Sequence, residues 1–143
     1  MGLFDFASNI GRNLFGNEDE AASKITDHLE ANNPGIEGLS VDYQDGVVTV
    51  SGEAKDAEAV EKAILMAGNV EGVKEVVNNT NIPVVEEVQV EYYVIQSGDT
   101  LSKLAKKYYG DPMAYERIFE ANREVIQDPD LIFVGQKIRI PLA

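Results

Sequence analysis

The stretch LSVDYQDGVVTVSGEA, residues 39–54, constrains the fold of this chain more than any other. Val41 and Tyr43 alternate with polar residues before Asp45-Gly46, and Val48 and Val50 alternate after it. A period of two marks a half-buried strand. Asp-Gly between two such runs marks a two-residue hairpin turn. On either side the period changes to that of a helix. Ala22, Ile25 and Leu29 make an apolar stripe that starts near Asp19, read as an N-cap, and stops at Asn32-Asn33-Pro34-Gly35. KDAEAVEKAILMAGNV, residues 55–70, is the clearest helix, with Ala57, Val60, Ile64, Leu65 and Ala67 facing inward and Asp56 or Ser51 starting it. Gly68 is placed at C′, where glycine accepts the left-handed conformation cheaply. GVKEVVNNTNI, residues 72–82, then reads as a strand joining the hairpin sheet, which gives α-β-β-α-β over 19–82.

Upstream, Leu3, Phe4, Ala7, Ile10, Leu14 and Phe15 fall on one face at helical spacing. Residues 1–18 are expected to form an amphipathic helical segment that packs on the domain following it. Its single arginine, Arg12, suits a membrane surface poorly, because surface-binding helices are usually basic. Downstream, PVVEEVQVE, residues 83–91, reads as a linker, and a second module follows over 92–143. YYVIQSGDTL is a strand running into a turn. Thr100 caps a helix that Gly110 ends, and Pro112 opens another with Tyr115, Ile118 and Phe119 inward. DPDLIFVGQ is a loop and KIRIP a closing strand, so this part is β-α-α-β. The expected class is α+β.

Charge divides the chain at the same place. Residues 1–91 hold 18 acidic and 5 basic side chains, and residues 92–143 hold 7 of each, so the net −13 lies wholly in the first part. Such a field repels nucleic acid and anionic lipid and concentrates cations. With no cysteine there is no disulfide framework, thiolate metal site or cysteine nucleophile. No apolar run approaches the roughly 20 residues of a membrane span. The start, MGLFDFASNIGRNLFGNEDE, lacks the basic n-region and long apolar stretch of a signal peptide. A cytoplasmic location is expected.

Three groups of residues carry a resemblance. YVIQSGDTLSKLAKKYYG, IFEANRE and LIFVGQKIRIP together resemble the LysM family over about 50 residues, with Gly98-Asp99-Thr100-Leu101, Asn122 and Gly135-Gln136 at the family's positions. The α-β-β-α-β order, the GVVTVSGEA strand and the GNVEGVKEV turn resemble the BON family. MGLFDF followed by both modules is similar to the bacterial cytoplasmic potassium-binding proteins of BON-LysM architecture. That resemblance implies a monomeric K+ sensor or buffer linked to osmotic or ionic stress. It also implies a K+ site of backbone carbonyls from Ala7, Ile10, Gly68, Val70 and Val73.

The residues permit such a site. K+ is large and weakly hydrated, and neutral carbonyl oxygens suit it. The last four carbonyls of a helix lack intrahelical partners and sit at the negative end of its dipole. The alternative is a glycan-binding envelope protein, since LysM modules recognise N-acetylglucosamine polymers. Its groove is expected at Gly98, Asp99, Thr100, Leu101, Leu131, Ile132 and Phe133. An enzyme is not expected: His28 is the sole histidine, and Ser51, Ser97 and Ser102 have no evident base. DYQDG lacks the spacing and distal glutamate of a calcium loop. No nucleic-acid partner or membrane insertion is expected.

Overall fold

The computed structural model describes residues 3–6, 18–82 and 90–142. Its class is α+β, with two small sheets. The first half runs α1 (Glu18–Ala31), β1 (Ile36–Gln44), β2 (Val47–Ala54), α2 (Ala57–Gly68) and β3 (Glu75–Thr80). The hairpin forms where alternation places it. Val41 faces Val50 and Tyr43 faces Val48 across an antiparallel pair. Asp45 and Gly46 both have positive φ, 50° and 84°, the conformation of a type I′ turn whose twist matches the strands. β3 then pairs parallel to β2, giving the order β1-β2-β3. Parallel neighbours need a crossover, and α2 supplies it.

Both helices bury their apolar residues against the sheet. On α1 these are Ala21, Ile25 and Leu29. The stripe therefore begins at Ala21 and not Ala22, and Asp19 lies inside the helix, one residue past its start at Glu18. Asp56 caps α2 by accepting the Ala59 N–H at 2.8 Å. Every residue from Ala59 to Gly68 is buried. A helix covering one sheet should keep a solvated face, so something lies across its outer side.

That something is the second half. It contains β4 (Val90–Val94), α3 (Leu101–Tyr109), a 3₁₀ turn (Pro112–Ala114), α4 (Tyr115–Ala121) and β5 (Lys137–Pro141). Thr100 caps α3 through the Lys103 N–H at 3.1 Å, and Gly110 ends it in the left-handed conformation. β4 and β5 pair antiparallel, with Tyr92 opposite Arg139. The buried Asn122 amide donates to the Ile118 and Arg139 carbonyls at 2.7 Å each and accepts the Arg139 N–H at 2.8 Å. This fixes the end of α4 to the closing strand.

The outer side of α2 meets β5 through polar groups. Asn69 donates to the Lys137 carbonyl at 2.8 Å and accepts its N–H at 2.7 Å, as a neighbouring strand would. Arg139 pairs with Glu58 at 3.0 Å and Glu61 at 3.4 Å, and Glu61 also accepts the Tyr92 hydroxyl. Lys62 pairs with Glu124 at 2.9 Å. The second half is docked on α2.

Residues 3–6 depart from the expected N-terminal helix. They bend at Leu3 and Phe4 and run along the free edge of β3: Val76 N–H donates to the Phe4 carbonyl at 3.0 Å, Phe6 N–H to the Lys74 carbonyl at 2.9 Å, and Asp5 bridges Glu75 antiparallel. An unpaired strand edge is a strong competitor for a segment this short. Leu3 and Phe6, three apart, are buried in this conformation as they would be in a helix. Ala7, Ile10, Leu14 and Phe15 lie outside the described residues. Among the described residues no helix is long and apolar enough to cross a membrane.

Candidate functional site

α2 ends on the turn that joins it to β3. The Asn69 N–H closes the last helical turn on the Leu65 carbonyl at 3.0 Å. The Val73 N–H then closes a second turn on the Val70 carbonyl at 3.1 Å. Gly72, third in that turn, has φ 101°, the positive value found at this position of a type II turn. Its carbonyl accepts the Tyr43 hydroxyl at 3.0 Å, so the hairpin braces the turn from below. The Val70 and Val73 side chains are fully buried, which anchors the backbone that carries their carbonyls.

Gly68 is not left-handed. It is the last residue of α2, the cap is Asn69 with φ −81°, and the positive φ belongs to Gly72. Glycine is required at 68 for another reason: a Cβ there would overlap the ring of Phe6. The close approach brings the N-terminal segment onto the end of α2, with Phe6 the residue before Ala7. Gly68 thus ends α2, and Val70 and Val73 bound the turn that follows it. Ala7 and Ile10 lie outside the described residues.

The donors in this turn are neutral oxygens at the negative end of a helix dipole. Among the described residues no group of three or more His, Cys, Asp or Glu is placed to hold a metal ion. A donor set of this kind fits a large monovalent cation, whereas divalent ions recruit carboxylates or imidazoles. Glu71 and Glu75 beside the turn are exposed, so they contribute field and stay hydrated. A cation does lie near. The Lys137 side chain crosses from β5, donates to the Asp5 carbonyl and sits 4.2 Å from the centre of the Phe6 ring.

A second concavity, of about 450 Å³, opens between the start of α3 and the loop before β5. Asp99, Thr100, Leu101, Ser102, Tyr115, Pro129, Asp130 and Ile132 line it. Four expected residues are among these: Asp99, Thr100, Leu101 and Ile132. Gly98 (φ 87°) shapes the turn, the Phe133 N–H is tied to Gln136, and Leu131 is exposed. The sequence reading missed Tyr115, because helical spacing marks an inward residue without distinguishing a core from a groove. Asp99 is held by the Tyr93 hydroxyl at 2.6 Å and the Gln96 N–H at 2.8 Å. The Tyr93 hydrogen bond keeps its carboxyl below the usual range, and the same bond pushes the phenol up to about 12.

Residues 17–83 match the BON domain family and residues 93–141 the LysM domain family. The chain is 34% identical over 148 residues to the potassium binding protein Kbp of Escherichia coli O6:H1, a match covering 99% of each protein. An uncharacterized protein of Deinococcus radiodurans is 53% identical over 49 residues, 34% of this chain and 19% of that protein. The uncharacterized protein YqbP of Bacillus subtilis is 38% identical over 58 residues, 34% of this chain and 26% of its own length.

Proposed function

Since the chain belongs to the family of the potassium binding protein Kbp, we propose that it binds K+ at the turn following α2. The observation that carries this reading is the return of the N-terminal segment to that turn: Phe6 packs on Gly68 and its N–H bonds to Lys74. In this reading the carbonyls of Gly68, Val70 and Val73 are ligands, together with those of Ala7 and Ile10. Bound K+ exchanges its water for these oxygens. Selectivity comes from the number, spacing and stiffness of the carbonyls, while the acidic charge of the first half raises the local concentration of any cation. Binding orders the BON half, and the protein serves as a monomeric cytoplasmic K+ sensor or buffer under osmotic or ionic stress. Its two modules meet within residues 83–91.

An ion that binds the folded state stabilises it by mass action. The melting midpoint is expected to be higher in K+ than in Na+ at matched ionic strength, with Rb+ and Cs+ between the two. Equal midpoints in K+ and Na+ would rule the reading out. The groove beside α3 favours a second reading, recognition of an N-acetylglucosamine polymer. Titration with chitin oligomers tests it, and an affinity in the low micromolar range would make it the main one.

A further inference from the structure

Lys137 is 1% exposed, which is rare for lysine. Burying an ammonium needs compensation, and among the described residues two groups supply part of it. One is the Asp5 backbone carbonyl, which accepts its proton. The other is the Phe6 ring, whose face attracts a cation at 4.2 Å. Both belong to the segment on the edge of β3, 131 or more residues away in sequence. The lysine itself is fixed at its backbone, because Asn69 bonds both its N–H and its carbonyl. Asn69 in turn lies between Gly68 and Val70. One residue therefore joins β5 to the turn after α2 through its backbone and to the N-terminal segment through its side chain.

Carbonyl oxygen and aromatic face are what a weakly hydrated monovalent cation finds in a protein. An ammonium group carries the same charge as K+ and is close to it in size. We propose that the Lys137 ammonium is a tethered monovalent cation that keeps the N-terminal segment closed on the α2 turn when no ion is bound. The proposal rests on the K+ reading above, since it assigns the lysine a share of the ordering that the ion completes at adjoining carbonyls. It also makes the docked second half part of the site, because the lysine reaches the segment only while β5 lies on α2.

Hydrogen exchange at the Phe6 and Val76 amides reads the closure, since both bond between the segment and β3. The full-length protein is measured with tetramethylammonium as the sole added cation, then with K+ at equal ionic strength. The wild type is expected to protect both amides in either buffer. Lys137→Met keeps the length and loses the charge. Its protection should fall roughly tenfold in tetramethylammonium, the scale of one charge-assisted hydrogen bond, and return with K+. Lys137→Arg should stay protected throughout. Amides of Val50 and Ile126 report that both halves remain folded. If Lys137→Met unfolds, Phe6→Leu removes the aromatic face while keeping an apolar side chain beside Gly68 and should give a smaller loss, again reversed by K+.

Equal protection of wild type and Lys137→Met in tetramethylammonium overturns the proposal. A loss that K+ does not reverse also overturns it, leaving a structural strut with no ion-like role. With the charge-neutral variant unfolded, unchanged protection in Phe6→Leu has the same force. The K+ reading fails separately, by absence of heat when wild type is titrated with K+, and the comparison in tetramethylammonium still decides what the lysine does.

Discussion

At Gly68 the absence of one methyl group decides whether Phe6 can lie on α2. An alanine there forces the ring or the helix to move, and overpacking of this kind costs about 1–3 kcal/mol. Gly68→Ala is expected to lower stability by that amount in urea denaturation. In Phe6→Ala, which empties the space, the same change should cost far less, because the two positions are coupled. A similar cost in both backgrounds would place the strain elsewhere. The sequence marks Gly68 as special without saying why. Glycine signals both a left-handed backbone and a close approach, and only the neighbour distinguishes them. Here the neighbour lies 62 positions upstream in a segment whose own spacing suggests a helix. The turn glycine with positive φ is Gly72, four residues later.

α2 shows how far periodicity reaches. Val60, Ile64, Leu65 and Ala67 are inward as it marks them, Ala57 is only half-buried, and of the two candidate starts, Asp56 and Ser51, Asp56 is the cap. Periodicity gives no sign that Glu61 and Lys62 are buried as well, because charged side chains normally define the solvated face. Their partners, Arg139 on β5 and Glu124 in the turn after α4, lie more than 60 residues away. Removing one partner of a buried pair costs more than the pair is worth, since the other charge stays desolvated. Arg139→Met takes the guanidinium away from the buried Glu61 carboxylate, which keeps the Tyr92 hydroxyl. It is expected to lose about 3–5 kcal/mol in urea denaturation. Adding Glu61→Gln should recover much of the loss. Equal stability of wild type and Arg139→Met would mean that water reaches Glu61 freely.

On the scale of the whole molecule, the charge step and the two element patterns suggest two modules, and the BON and LysM families match residues 17–83 and 93–141. The docking of one half on the other was not legible. It depends on Asn69, Lys137, Arg139 and Glu61 meeting across the fold, and no local pattern connects them. The groove beside α3 was legible in outline, since Gly98 to Leu101 form a continuous turn. Ala7 and Ile10 of the expected ion site fall outside the described residues, and of the expected ligands Gly68, Val70 and Val73 are described. Because α2 is covered from both sides, the halves are expected to unfold together. Far-ultraviolet circular dichroism and tyrosine fluorescence should give coincident urea midpoints, and Asn69→Ala should move both by the same amount. Separate midpoints in the wild type would show that each half is stable alone.

The double cover of α2 also limits how this chain can change over generations. Most two-module proteins tolerate recombination at the junction, because each piece brings its own closed surface. Here the helix of one module presents carboxylates and an asparagine that only a particular strand of the other can satisfy. A chimera joining this first half to a foreign second half lacking the arginine of β5 would inherit the buried Glu61 without its guanidinium partner. Substitutions on α2 and β5 are therefore expected to be inherited as linked sets, and the two modules to travel through evolution as a single exchangeable unit.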